Sequence, residues 1–126
     1  MIHVHDILRE RLLAQAGLTS QDRPALPPWP GLDTVYRVQW CPWFERAMRD
    51  RMAMGWFRYG PMNSPQRRAL RLDHVGSAMR RLKLYLETGC QEHLVDAANL
   101  CMVEVMIPSC HQNPHFKAAD DANHTT

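Results

Sequence analysis

Lysine is nearly missing from this sequence: of its 15 basic residues only Lys83 and Lys117 are lysine, and the rest are arginine. Long apolar runs are missing too. None approaches the roughly 18 residues that a bilayer demands, which argues against a membrane-spanning chain. Cys41, Cys90, Cys101 and Cys110 form no C-x-x-C pair, which removes the zinc ribbon and the thioredoxin-like site. The phosphate loop G-x-x-x-x-G-K-[ST], the dinucleotide fingerprint G-x-G-x-x-G and the nucleophile elbow G-x-S-x-G are also missing. At the start, Asp6, Arg9, Glu10 and Arg11 stand where a secretory leader needs apolar residues, so the expectation is a cytoplasmic protein with four reduced, mostly buried thiols.

What is present is enough for a core. The chain has 126 residues, 45% of them apolar, and a formal net charge of +2. These values fit one domain over 1–126, with an N-terminal helix and arm (1–40), a helical core (41–108) and a polar tail (109–126). A net charge of +2 makes no strong case for DNA or RNA. The arginines nevertheless crowd the middle of the chain, and arginine suits forked recognition of phosphate or carboxylate. A GC-rich genome accounts for the same preference without any ligand.

Local patterns predict a mainly all-α fold of three to four helices. Ile7, Leu8, Leu12 and Leu13 give a helix over Asp6–Ala16 that ends before Gly17. Pro24, Pro27, Pro28 and Pro30 then call for an extended arm over Thr19–Gly31, with Trp29 as its apolar anchor. The alternation T-V-Y-R-V-Q-W over Thr34–Trp40 fits one short strand, paired with a second subunit. Pro42 opens a helix that Gly55 should close. Ser64-Pro65 opens another that runs unbroken to Thr88 before Gly89, and a last helix spans Gln91–Ile107. Leu72, Val75, Met79, Leu82 and Leu86, spaced by three and four, are the expected core seam, packed on Leu94, Val95, Ala98, Cys101 and Met102 in an antiparallel hairpin.

Three constellations carry chemistry. In the last helix, Glu92, His93, Asp96, Asn99 and Glu104 interrupt an otherwise apolar circumference, and Glu92, Asp96 and Asn99 form one stripe. Such a stripe is either solvated or in need of a metal, an arginine or a polar ligand. In the preceding helix, Arg67, Arg71, His74 and Arg81 form a basic row with Tyr85 one turn further on. This row suits phosphates, or pairs with the acidic stripe across the hairpin. The connector Trp56-Phe57-Arg58-Tyr59-Gly60 combines stacking surfaces with a forked donor. There Trp56 and Phe57 read as core anchors, and Arg58 and Tyr59 as ligand contacts. In the tail, His111 and His115 are separated by Pro114, which spoils a shared metal, so His115 and Phe116 are expected to pack back on the body, or the tail to close over a pocket or a neighbouring subunit.

The run Arg80-Arg81-Leu82-Lys83-Leu84-Tyr85-Leu86-Glu87-Thr88-Gly89, then Glu92-His93-Leu94-Val95-Asp96-Ala97-Ala98-Asn99, has Phe57-Arg58-Tyr59-Gly60 upstream. Over Phe57–Asn99 it resembles small phage- and prophage-type proteins related to the MazG-like all-α nucleoside-triphosphate pyrophosphohydrolases. The resemblance implies a nucleotide site in which a Glu-Glu-x-x-Glu cluster and a Glu-x-x-Asp pair hold magnesium on phosphates. Asp96 and Asn99 match the second helix's polar positions, and Glu92 sits one turn before them. The first cluster has no counterpart, since Arg67, Arg68, Arg71, Arg80 and Arg81 stand there with only Asp73 and Glu87. Magnesium takes oxygen ligands, not guanidinium groups.

The reading that follows is a homo-oligomeric phage-type protein that holds a phosphorylated nucleotide without cleaving it, as a counter to bacterial defence. Its ligand contacts are Arg58, Tyr59, Arg67, Arg71, His74, Arg81, Tyr85, Glu92, Asp96 and Asn99, with no catalytic residue, no resident cofactor and no membrane partner. Two rivals stand beside it: a magnesium-dependent pyrophosphohydrolase, and a protein-binding module in which the arm and exposed aromatics grip a partner.

Overall fold

A computed structural model describes residues 4–17 and 30–117, and side chains from Ile7 onward. Six helices and no strand occur among the described residues, so the protein is all-α. No described helix is long and apolar enough to cross a membrane. Most of the proline-rich arm and the tail beyond Lys117 lie outside the described residues. The described residues fall into two compact units, one ending at Cys41 and the other running from Pro42 to Lys117.

The first unit pairs α1 (Val4–Gln15) with α2 (Leu32–Gln39). The expected strand at Thr34–Trp40 is therefore wrong: its residues are helical through Gln39, and Trp40 caps the helix in an extended conformation. A helix closes its backbone hydrogen bonds internally, whereas a strand needs a neighbour that this segment does not have among the described residues. The helical register also buries Leu32 and half-buries Val35 on one side. Leu13 is the buried contribution of α1, and Arg9 Nη1 donates to the Pro30 carbonyl at 3.3 Å.

The second unit contains α3 (Pro42–Tyr59), α4 (Pro65–Ala69), α5 (His74–Thr88) and α6 (Glu92–Met106). Helix α6 packs on both α5 and α3. Gly55 does not stop α3. The stop falls at Gly60, whose φ of 77° is the left-handed conformation that glycine tolerates and whose N–H donates to the Trp56 carbonyl at 2.8 Å. Ser64 caps α4 as its sequence position predicts, accepting from the Arg67 amide at 3.2 Å.

The single helix expected over Pro65–Thr88 is broken at residues 70–73. Arg71 there has a φ of 48°, a strained conformation for a residue with a β-carbon. Asp73 then starts a new helix by accepting from the Gly76 amide at 2.9 Å. A β-carbon at position 76 would run into the Asp73 carboxylate, so the cap and the glycine belong together. Gly89 closes α5 with a φ of 71° and donates to the Tyr85 carbonyl at 2.7 Å.

The expected core seam is also corrected. Leu72, Val75, Met79, Leu82 and Leu86 are exposed, whereas His74 and Ala78 are the buried residues of α5. On α6 the buried residues are Val95, Ala97, Asn99 and Val103; Cys101 is exposed, and Leu94, Ala98 and Met102 are half-buried. The antiparallel hairpin stands as expected, but α5 turns a different side inward. All four cysteines are exposed, against the expectation of buried thiols. Phe116 and His115 are exposed as well, so they do not pack back on the body. At the connector, Trp56 and Phe57 are exposed rather than core anchors, because α3 carries them past Gly55 on a helix end.

Candidate functional site

Two polar clusters lock α6 in place. At its N-terminal end, Arg51 of α3 reaches Asp96 through two parallel bonds, Nε to Oδ1 at 2.9 Å and Nη2 to Oδ2 at 3.0 Å. This is the bidentate fork that makes arginine–carboxylate pairs strong and directional. Arg51 also pairs with Glu92, and from the other side Arg81 Nη1 of α5 stands 3.6 Å from Asp96 Oδ2. The hydrogen bond that Arg51 donates to Asp96 raises the Arg51 pKa above its ordinary value, against the opposing effect of burial. One turn along, the buried Asn99 donates from Nδ2 to the Met48 carbonyl at 3.0 Å. Its Oδ1 is buried without a hydrogen-bond partner.

At the other end, Glu104 is the acceptor for several donors. The Ser109 hydroxyl donates to Oε1 at 2.6 Å, and the Ser109 and Cys110 amides donate to Oε2 at 2.9 and 3.2 Å. His74 Nδ1 lies 3.1 Å from Oε1. These bonds, led by the Ser109 hydroxyl, hold the Glu104 carboxyl at about 2, below its ordinary 4.5, although burial pushes the other way. The Cys110 thiol donates to Asp73 Oδ1 at 3.4 Å, which ties the segment after α6 to the cap of α5. The Gly76 amide and then the Cys110 thiol lower the Asp73 pKa.

The expected ligand residues therefore separate into groups. Arg81, Glu92, Asp96 and Asn99 come together, but around Arg51 and the α3 backbone. His74 belongs to the Glu104 cluster instead. Arg67 lies with its guanidinium 5.5 Å from the Tyr59 ring centre, and its Nε is buried without a hydrogen-bond partner. Arg58 is exposed at the end of α3, Arg71 is exposed in the break, and Tyr85 is half-buried on α5. The basic row fails as one row because the break at residues 70–73 changes the helical register between Arg71 and His74.

Arg51 and Glu104 are the organising residues that sequence reasoning passed over. Arg51 lay within the central arginine crowd with no periodic partner in its own helix. Glu104 was visible as an interruption of the apolar surface of α6, but nothing in the sequence pairs it with Ser109 or His74.

With both Asp96 oxygens forked by Arg51, a cation at that position would have to displace a guanidinium. Among the described residues, no group of three or more His, Cys, Asp or Glu side chains is placed to share a metal ion. No family model, curated protein or solved structure matches this chain.

Proposed function

We propose that this chain is a helical association module, one whose helices are held by a small apolar core and directed polar pairs and whose apolar exterior meets another protein. The observation that carries this reading is the large apolar surface that α5 and α6 leave outside. Met79, Leu86 and Val105 are 65%, 82% and 82% exposed, while the inner sides of the same helices bury only the small or medium apolar Ala78, Val95, Ala97 and Val103 beside His74 and Asn99. Large apolar surface left outside a helical unit is the usual mark of an interaction face.

A second reading rests on one specific observation. The unpartnered Nε–H of Arg67, beside the Tyr59 ring and near exposed Arg58 and Arg71 in sequence, is a donor suited to the phosphate of a nucleotide. In this form the nucleotide-holding function keeps Arg58, Tyr59, Arg67 and Arg71 and loses the acid–amide stripe to Arg51.

Native mass spectrometry of freshly purified protein separates the readings, together with incubation on a nucleotide panel with and without magnesium. The association module predicts masses of the chain or its complexes alone, with every nucleotide returned unbound and intact. A retained nucleotide that is lost in Arg67→Ala establishes the second reading. Magnesium-dependent turnover overturns both in favour of the pyrophosphohydrolase.

A further inference from the structure

Part of the exposed apolar surface of the second unit is ordered. On α5, Val75, Met79, Leu82 and Leu86 follow steps of four, three and four. On α6, the half-buried Leu94 and Ala98 and the exposed Cys101 and Val105 follow the same steps. Steps of this kind keep a stripe on one side of a helix and are the seam pattern of helical bundles.

Helix geometry brings the two stripes together. At about 100° per residue, the α5 stripe lies roughly a third of a turn from the inward line of His74, Ala78 and Arg81. The α6 stripe lies somewhat under a quarter of a turn from Ala97 and Glu104, which are on the side facing α5. Because the helices run antiparallel, rotations of the same sense along the sequence carry both stripes to the same side of the hairpin. Helix α3 occupies the other side, through Arg51 and Met48. The bare side carries no charged residue on either stripe.

We infer that this face docks on the same face of a second copy of the chain, forming a four-helix bundle from two hairpins around a two-fold axis. The inference rests on the association reading and names its partner. Self-pairing is favoured by shape: α5 presents large Met79, Leu82 and Leu86, whereas α6 presents the small Ala98 and Cys101. A two-fold axis that lays α5 of one copy over α6 of the other fits large residues into small ones on both sides. The area is of the right order. From their fractional exposures, Val75, Met79, Leu82, Leu86 and Val105 offer roughly 550–600 Å², against about 800 Å² per partner in a standard interface. The formal net charge of +2 sets no large repulsion between copies.

Sedimentation equilibrium over a range of concentrations tests the pairing, with iodoacetamide labelling of Cys101 as the residue-level readout. The expected result is a monomer–dimer equilibrium in which Cys101 alkylation slows as dimer fills, while Cys90 in the α5–α6 turn keeps its rate. Leu82→Glu buries a carboxylate in the seam and raises the dimer dissociation constant about a hundredfold or more. Leu86→Ala, at a position 82% exposed in the protomer, leaves the protomer folded by circular dichroism and raises that constant about tenfold. A monomer at every concentration whose face still binds a hydrophobic dye overturns the second-copy assignment and leaves the association reading standing. Cys101 protection that is equal at every concentration also overturns it, because the cover is then part of the same chain. A retained nucleotide, by contrast, strikes at the association reading itself.

Discussion

The two sides of the α5–α6 hairpin differ in kind. On the side that meets α3, a forked arginine–carboxylate pair and an asparagine–carbonyl bond join the helices. On the opposite side, apolar residues stand exposed in a regular pattern. The contrast teaches that hydropathy alone does not decide what a small helical unit turns inward. Asp96 and Asn99 go inside where each meets a directed partner on α3, because an ion pair left half-made there costs more than one made well. Apolar residues remain outside where no neighbour within the protomer meets them.

The sharpest way to break this contrast is Arg51→Ala. It leaves Asp96, only 15% exposed in its side chain, without its fork, and is expected to destabilise the protein by about 1.5–3 kcal/mol in urea unfolding. The paired replacement Arg51→Met with Asp96→Leu should restore most of that loss, since a well-packed apolar pair often equals a buried ion pair. A single variant as stable as the parent places the fork among surface pairs of little consequence.

The second cluster is tested by acid. Since folding lowers the Glu104 pKa from 4.5 to about 2, its contribution to stability is fully present above the unfolded value. That contribution is lost as pH falls from about 4.5 towards 2. The melting midpoint of the parent should therefore fall faster across this window than that of Glu104→Gln, which should already be lower at neutral pH. Parallel curves for the two proteins would show that Ser109 and His74 do not hold the carboxylate in solution.

The smallest effect belongs to the bare side. Val105→Ser, measured below the concentration at which the chain associates, should change stability by no more than about 0.5 kcal/mol, as for other surface positions. A loss of several kcal/mol at that dilution would mean that the face is covered within one protomer, and the contrast between the two sides would collapse.

Much of the fold is legible in the sequence wherever the signal is local. Ser64-Pro65, Gly89 and the stretch before Pro108 mark helix ends because caps and stops are satisfied within a few residues along the chain. The same logic was available for Asp73, whose side chain starts α5, yet the apolar spacing through Leu72 and Val75 masked the break. Thr34–Gln39 was ambiguous because a short stretch of β-branched and polar residues fits a strand and a helix alike.

By itself, then, the sequence determined an all-α chain, the turn of its hairpin at Gly89 and the last helix, and the stripe of Glu92, Asp96 and Asn99. Only the tertiary structure decided that Arg51 takes the carboxylates, that Glu104 gathers Ser109 and His74, and that α5 turns Ala78 inward and Leu82 outward. Helix periodicity places residues on a common side of one helix, but which side is covered depends on a neighbour 45 residues away, as with Arg51 and Asp96. Spacing along one helix carries no record of that neighbour.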